Sequence, residues 1–128
     1  MIEIVDNKRI RCIDLQYLNT RTKSNPQLMM EMISLYLEQT PPLITAMNKG
    51  WADKDWGSLH AAVHKMIPSF AIMGMHADFK AMAKKVQEYA GALCQLDLMQ
   101  DMVLQLGNIC KQSCDELEIE FNRIKNNN

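Results

Sequence analysis

A chain of 128 residues, 48% hydrophobic and 23% charged, suffices for one domain with a continuous apolar core and leaves no room for a second. Its formal net charge of −1, with no long Lys/Arg run, argues against a nucleic-acid partner, because that binding depends on basic residues neutralising phosphates. No apolar stretch approaches the roughly twenty residues that span a bilayer, and segment 1–6 lacks the basic start and apolar centre of a secretory signal, so the expected setting is the cytoplasm and the expected partner a protein.

Residues 1–9 carry no clear structural signal and are expected to be poorly ordered. Asp14-Leu15-Gln16-Tyr17-Leu18 reads as one short helix that packs Leu15 and Leu18 against the rest. After residue 24 nearly every segment has helical period, with Gly and Pro only as punctuation. Ser24-Asn25-Pro26 starts the first long helix: a side-chain oxygen caps free backbone N–H groups, and Pro in the first turn sacrifices no helical bond. Leu28, Met29, Met32, Ile33 and Leu37 mark its expected buried stripe. Pro41-Pro42 predicts a kink or interruption, with Leu43, Ile44 and Met47 continuing the stripe to a stop near Gly50.

Asp55 is the expected cap of the next helix, whose Trp56, Leu59, Ala62, Val63, Met66, Phe70 and Met73 keep the i, i+3, i+4, i+7 rhythm of a core face until Gly74. His76, with Asp78, helps start a further helix from about Ala77 to Tyr89, with Phe79, Met82, Ala83, Val86 and Ala90 inward and Gly91 as its stop signal. The last helix runs from about Asp97 to Ile124 and buries Met99, Met102, Val103, Leu106, Cys110, Leu117 and Phe121. The charged stretch Asp115-Glu116-Leu117-Glu118-Ile119-Glu120 reads as a plain solvated face, and 126–128 are expected to fray. Most of the eleven methionines fall on apolar stripes as core filler. The four cysteines, Cys12, Cys94, Cys110 and Cys114, match no CxxC spacing and read as small reduced core residues. Short connections between long helices predict an all-α, antiparallel up-down four-helix bundle with a short additional N-terminal helix; a monomer is expected, with a dimer through the final helix left open.

On a helical wheel His64 falls at about 140° from the centre of the apolar face and points outward. Around it stand Gly57, Ala61, Pro68 and Ala71, with His60 one turn back and Ile67 and Ile72 at the margin, where an ordinary exposed face carries Lys and Glu. Small neighbours let a second protein close on an imidazole, and a neutral imidazole nitrogen is nucleophilic near neutral pH, which together suit phosphoryl exchange. Pro68 lacks the N–H that would bond the carbonyl of His64, so the helix is expected to bend there and expose that carbonyl. His60 and His64, at i and i+4, could both ligate one metal ion, but no further acidic or histidine side chain is placed in sequence to complete the set, and no metal is expected.

The run Leu59-His60-Ala61-Ala62-Val63-His64-Lys65-Met66-Ile67-Pro68-Ser69-Phe70-Ala71-Ile72-Met73-Gly74 resembles the phosphoacceptor motif of histidine-phosphotransfer (HPt) domains, and the likeness extends over about residues 14–90, including Asp55-Trp56 and Leu35-Tyr36-Leu37-Glu38-Gln39-Thr40-Pro41. The resemblance implies that His64 accepts a phosphoryl group, that Ser69 fills a usual small-residue site, and that the chain has no kinase or hydrolase activity of its own. It implies response-regulator receiver domains and a hybrid sensor histidine kinase as partners, the receiver bringing the Mg ion and this chain binding no cofactor. Two positions depart from the family pattern: Ile67 stands where a Lys is common and Pro68 where a Gly is common. The Lys would hold the incoming phosphate, so Lys65, Lys80 or Lys84 must take its place, or the chain binds receiver or kinase domains without accepting phosphate.

Overall fold

The computed structural model describes residues 11–127; the expectation for residues 1–9, and for Asn128, lies outside them. Five helices occur among these residues and no strand: α1 (Gln16–Arg21), α2 (Pro26–Ala52), α3 (Trp56–Ile72), α4 (Ala77–Ala92) and α5 (Leu96–Asn126). The long ones pack in a cycle, α2 on α3 and α5, α4 on α3 and α5, around one core that includes Ile33, Met47, Leu59, Val63, Met66, Phe70, Val86, Met99, Leu106 and Leu117. No helix among the described residues is long and apolar enough to cross a membrane.

The helix starts follow from side-chain caps. Asn25 accepts the N–H of Leu28, Asp55 that of Ser58, and the His76 ring nitrogen that of Asp78. The Ser58 amide and hydroxyl hold the Asp55 carboxyl below its usual range. The stops differ more from expectation. Helix α2 passes unbroken through Pro41 and Pro42 and through Gly50, ending at Ala52. The prolines deprive the carbonyls of Leu37 and Glu38 of their usual donors, but Tyr36 and Thr40 before them and Met47 after them are buried, and that burial holds one continuous helix. Gly91 lies inside α4; Leu93, in a left-handed conformation, follows the helix end instead. Asn126 closes α5 rather than fraying, with Asn127 as its cap.

The buried stripes are corrected in detail. Leu28 is 46% exposed, whereas Tyr36 and Thr40 are buried. The Tyr36 hydroxyl lies 2.6 Å from Ser113 Oγ, which donates in turn to the carbonyl of Cys110; burial pushes the phenol far above its ordinary pKa. Cys12 and Cys110 are core residues and Cys114 half-buried, but Cys94 is exposed between α4 and α5. Nor is 115–120 a plain solvated face: Glu116 accepts the backbone N–H groups of Cys12 and Ile13, and Glu120, nearly buried, pairs with Arg11 and Arg123.

Two glycines mark close approaches. At Gly50 a β-carbon would lie 2.8 Å from the backbone nitrogen of Leu59, so α2 and α3 meet there through bare backbone. Gly74 combines φ +64° with a β-carbon position 1.9 Å from the carbonyl oxygen of Asp14, beside the bond from the Asp14 N–H to the Met73 carbonyl. Gly74→Ala should therefore lower stability by at least about 2 kcal/mol in urea unfolding, left-handed strain and the clash adding. Gly91→Ala, in the last turn of α4 with open space around it, should leave stability unchanged or raise it by up to about 0.5 kcal/mol; equal midpoints for the two variants would contradict this packing. Burial pushes the Cys110 thiol up to about 12 and Cys114 up to about 11. In alkylation of the native protein at pH 8, with peptide mapping, Cys94 should be modified first and Cys110 last.

Candidate functional site

Helix α3 positions the site because one face is committed to the core. Leu59, Ala62, Val63, Met66 and Phe70 are buried, which turns His60, Ala61, His64, Lys65, Pro68 and Ala71 to the surface, as their spacing predicts. The helix continues through Pro68 without a break, so the carbonyl of His64 lacks its i+4 donor within an intact helix. Gly57 is exposed as well, with only the Asp55 carboxylate near the position of a β-carbon.

His64 stands between two neighbours. Toward α2, it lines a shallow groove of about 720 Å³ with Glu38, Gln39, Pro42, Leu43, Lys65 and Pro68. Toward α4, its Nδ1 lies 3.0 Å from the side-chain nitrogen of Gln87, and the same nitrogen lies 3.5 Å from Nε2 of His60. The two imidazoles are nearly parallel, 10° between planes and 6.3 Å between centroids. One amide group thus spans both rings.

That amide governs which ring nitrogen can react. When Gln87 donates N–H to Nδ1, the ring hydrogen of a neutral His64 sits on Nε2, and Nε2 has no lone pair to offer. Turned by half a rotation, the amide presents its carbonyl oxygen, Nδ1 carries the hydrogen and donates it, and the Nε2 lone pair is available to an incoming electrophile. No hydrogen bond among the described residues reaches Nε2 of His64.

The remaining expected residues divide. Lys65 lines the groove beside His64 and also a smaller one with Ser69, Ile72 and residues of α2. The Ser69 hydroxyl donates to the Met66 carbonyl at 2.7 Å. Ile67 and Ile72 are half-buried and pack against the core, so Ile67 contributes apolar contact one turn from the imidazole. On α4, Lys84 is exposed and Lys80 half-buried. By helical spacing both share the face of Gln87, about 4.5 Å and 10.5 Å along the axis from it, which favours Lys84 as the nearer cation. Gln87 is the residue that sequence reasoning missed. Its spacing from Lys84 and Lys80 was the only signal, and a partner 23 positions from His64 on another helix leaves no mark in local periodicity.

No protein-family model, curated protein or solved structure matches the chain.

The amide contact has a spectroscopic consequence. In ¹⁵N-detected imidazole spectra above pH 8, neutral His64 of the original protein should favour one tautomer, and Gln87→Leu should move it toward the mixture of a free imidazole. Identical ring-nitrogen shifts in the two proteins would mean that Gln87 does not set the tautomer.

Proposed function

We propose that the chain is a histidine-phosphotransfer module: His64 accepts a phosphoryl group from a phospho-aspartyl receiver domain and passes it to another. The observation that carries this reading is the pairing of an exposed imidazole, held at Nδ1 by Gln87, with a surrounding helix face of Gly57, Ala61, Pro68 and Ala71. The cycle of four long helix contacts fits an antiparallel up-down four-helix bundle carrying the site on one of its helices.

In the transfer step, the Nε2 lone pair attacks phosphorus, the P–N bond forms, and the P–O bond to the donor aspartate breaks, leaving its carboxylate. The ring then bears the phosphoryl group on Nε2 and hydrogen on Nδ1, which keeps its bond to the Gln87 carbonyl oxygen. Phosphoryl transfer needs positioning and charge stabilisation rather than an acid or base of its own. The receiver supplies Mg, and this chain supplies orientation through Gln87 and positive charge through Lys84 and Lys65. The partners are receiver domains and a hybrid sensor histidine kinase in the cytoplasm, with this chain a monomer that has no autonomous kinase or hydrolase activity.

One observation favours a second reading. Ile67 stands where a lysine would meet the phosphate, and its side chain packs against the core, so the chain would be a module that binds receiver or kinase domains without accepting phosphate.

Transfer from a ³²P-labelled receiver decides between them. The original protein should acquire acid-labile label and His64→Gln none, with Lys84→Ala slowing transfer about tenfold, the worth of one exposed charge-assisted contact. Receiver binding without label on either protein would establish the scaffold instead.

A further inference from the structure

The pair of imidazoles on α3 has a property that phosphoryl transfer does not use. His60 is one helical turn before His64, its ring is nearly parallel to that of His64, and the two nitrogens His60 Nε2 and His64 Nδ1 are 3.5 and 3.0 Å from a single atom, the side-chain nitrogen of Gln87. Two imidazole nitrogens one helical turn apart, both within 3.5 Å of one atom, can be brought onto a single divalent first-row metal ion by rotation of the exposed rings. The sequence offered no third donor. The fold supplies one, because Gln87 reaches both rings with its side-chain nitrogen and half a rotation of the amide would bring its carbonyl oxygen to that side. Metal–nitrogen bonds are about 2.0–2.1 Å, so the ion displaces the amide outward by a side-chain rotation and draws both rings in. No group of three or more His, Cys, Asp and Glu side chains that could hold a metal occurs among the described residues. Two imidazoles and one amide would leave coordination positions free for solvent or a further ligand.

We infer that His60, His64 and Gln87 bind one zinc or copper(II) ion, and that the bound ion switches off the phosphoacceptor. The second half rests on the phosphocarrier reading; the first does not. Imidazole nitrogen selects zinc and copper, whereas Mg prefers oxygen donors and retains its water, so the ion that serves the receiver does not compete. A neutral imidazole has one in-plane lone pair, on the nitrogen without hydrogen. Coordination through Nδ1 uses that pair and leaves hydrogen on Nε2, so neither nitrogen of His64 remains nucleophilic. Blockade needs only rotation of the His60, His64 and Gln87 side chains and reverses when the ion leaves.

The test uses the full chain, with thiols reduced and then freed of reductant, titrated with zinc chloride in a non-chelating buffer while the imidazole proton resonances and the heat of binding are followed. One zinc per chain should move the His60 and His64 resonances together and leave those of His76 in place. His60→Gln and His64→Gln should each weaken binding at least tenfold, Cys94→Ser should leave it unchanged, and Mg should move nothing. His60→Gln binding zinc as tightly as the original, or loss of binding in Cys94→Ser, would overturn the site. Labelling of His64 by phosphoramidate, a small donor that needs no metal, should fall at least tenfold in saturating zinc and return with a chelator. Unaltered labelling at saturating zinc would remove the switch while leaving the site. If His64 takes label from neither phosphoramidate nor a phosphorylated receiver, the carrier reading fails and the zinc titration still stands on its own.

Discussion

The placement of the site depends on how closely α3 is pressed against its neighbours. At one end, Gly50 lets the backbone of Leu59 come within a distance that any β-carbon would prevent; at the other, Gly74 lets the chain turn hard against the carbonyl of Asp14. Between these two points Leu59, Val63, Met66 and Phe70 are almost wholly buried. A helix fixed at both ends and along one side cannot rotate about its axis without exposing that apolar surface, at about 25 cal/mol for each Å². The outward direction of His64 is therefore a property of the core, and Gln87 from α4 only adjusts the ring within it.

Much of this was legible in the sequence, for identifiable reasons. Asn25, Asp55 and His76 act on amides two or three residues away, so their capping roles are written in adjacent letters. The apolar rhythm of 56–73 is long and regular, and it places His64 outside without reference to any other segment. Interactions between distant segments left no such trace. Gln87 reaches His64 across 23 positions, and Glu116 reaches the amides of Cys12 and Ile13 across more than a hundred, so local periodicity passes over Gln87 and reads 115–120 as a solvated face. Pro41-Pro42 misled in the opposite sense. The local rule against helix is sound, but burial on both sides of the pair outweighs it.

The surface around His64 is asymmetric. On the α2 side lies a groove that includes Pro42 and Pro68, two residues without N–H; on the α4 side lie a paired histidine and an amide. In the proposed phosphocarrier, the first side is where a partner backbone fits and the second tunes the ring. Ile67, between them in sequence, adds apolar contact where charge would have helped the phosphate. In that reading the positive charge comes from Lys65 of α3 and Lys84 of α4, so transfer would depend on the relative position of two helices as well as on one.

The bonds from the Cys12 and Ile13 amides to Glu116 have a consequence for the order of assembly. They close a loop that contains almost the whole described chain, and the carboxylate that closes it is on the last helix. A chain emerging from the ribosome can build α2 to α4 from near neighbours, but Cys12 and Ile13 cannot take up these bonds until residue 116 has been made and α5 has formed. The turn at Gly74 rests on Asp14, the next residue along. The helix that carries His64 thus acquires its final support only after residue 116 has been made, and a product truncated before it would present His64 without the fixed helix that aims it.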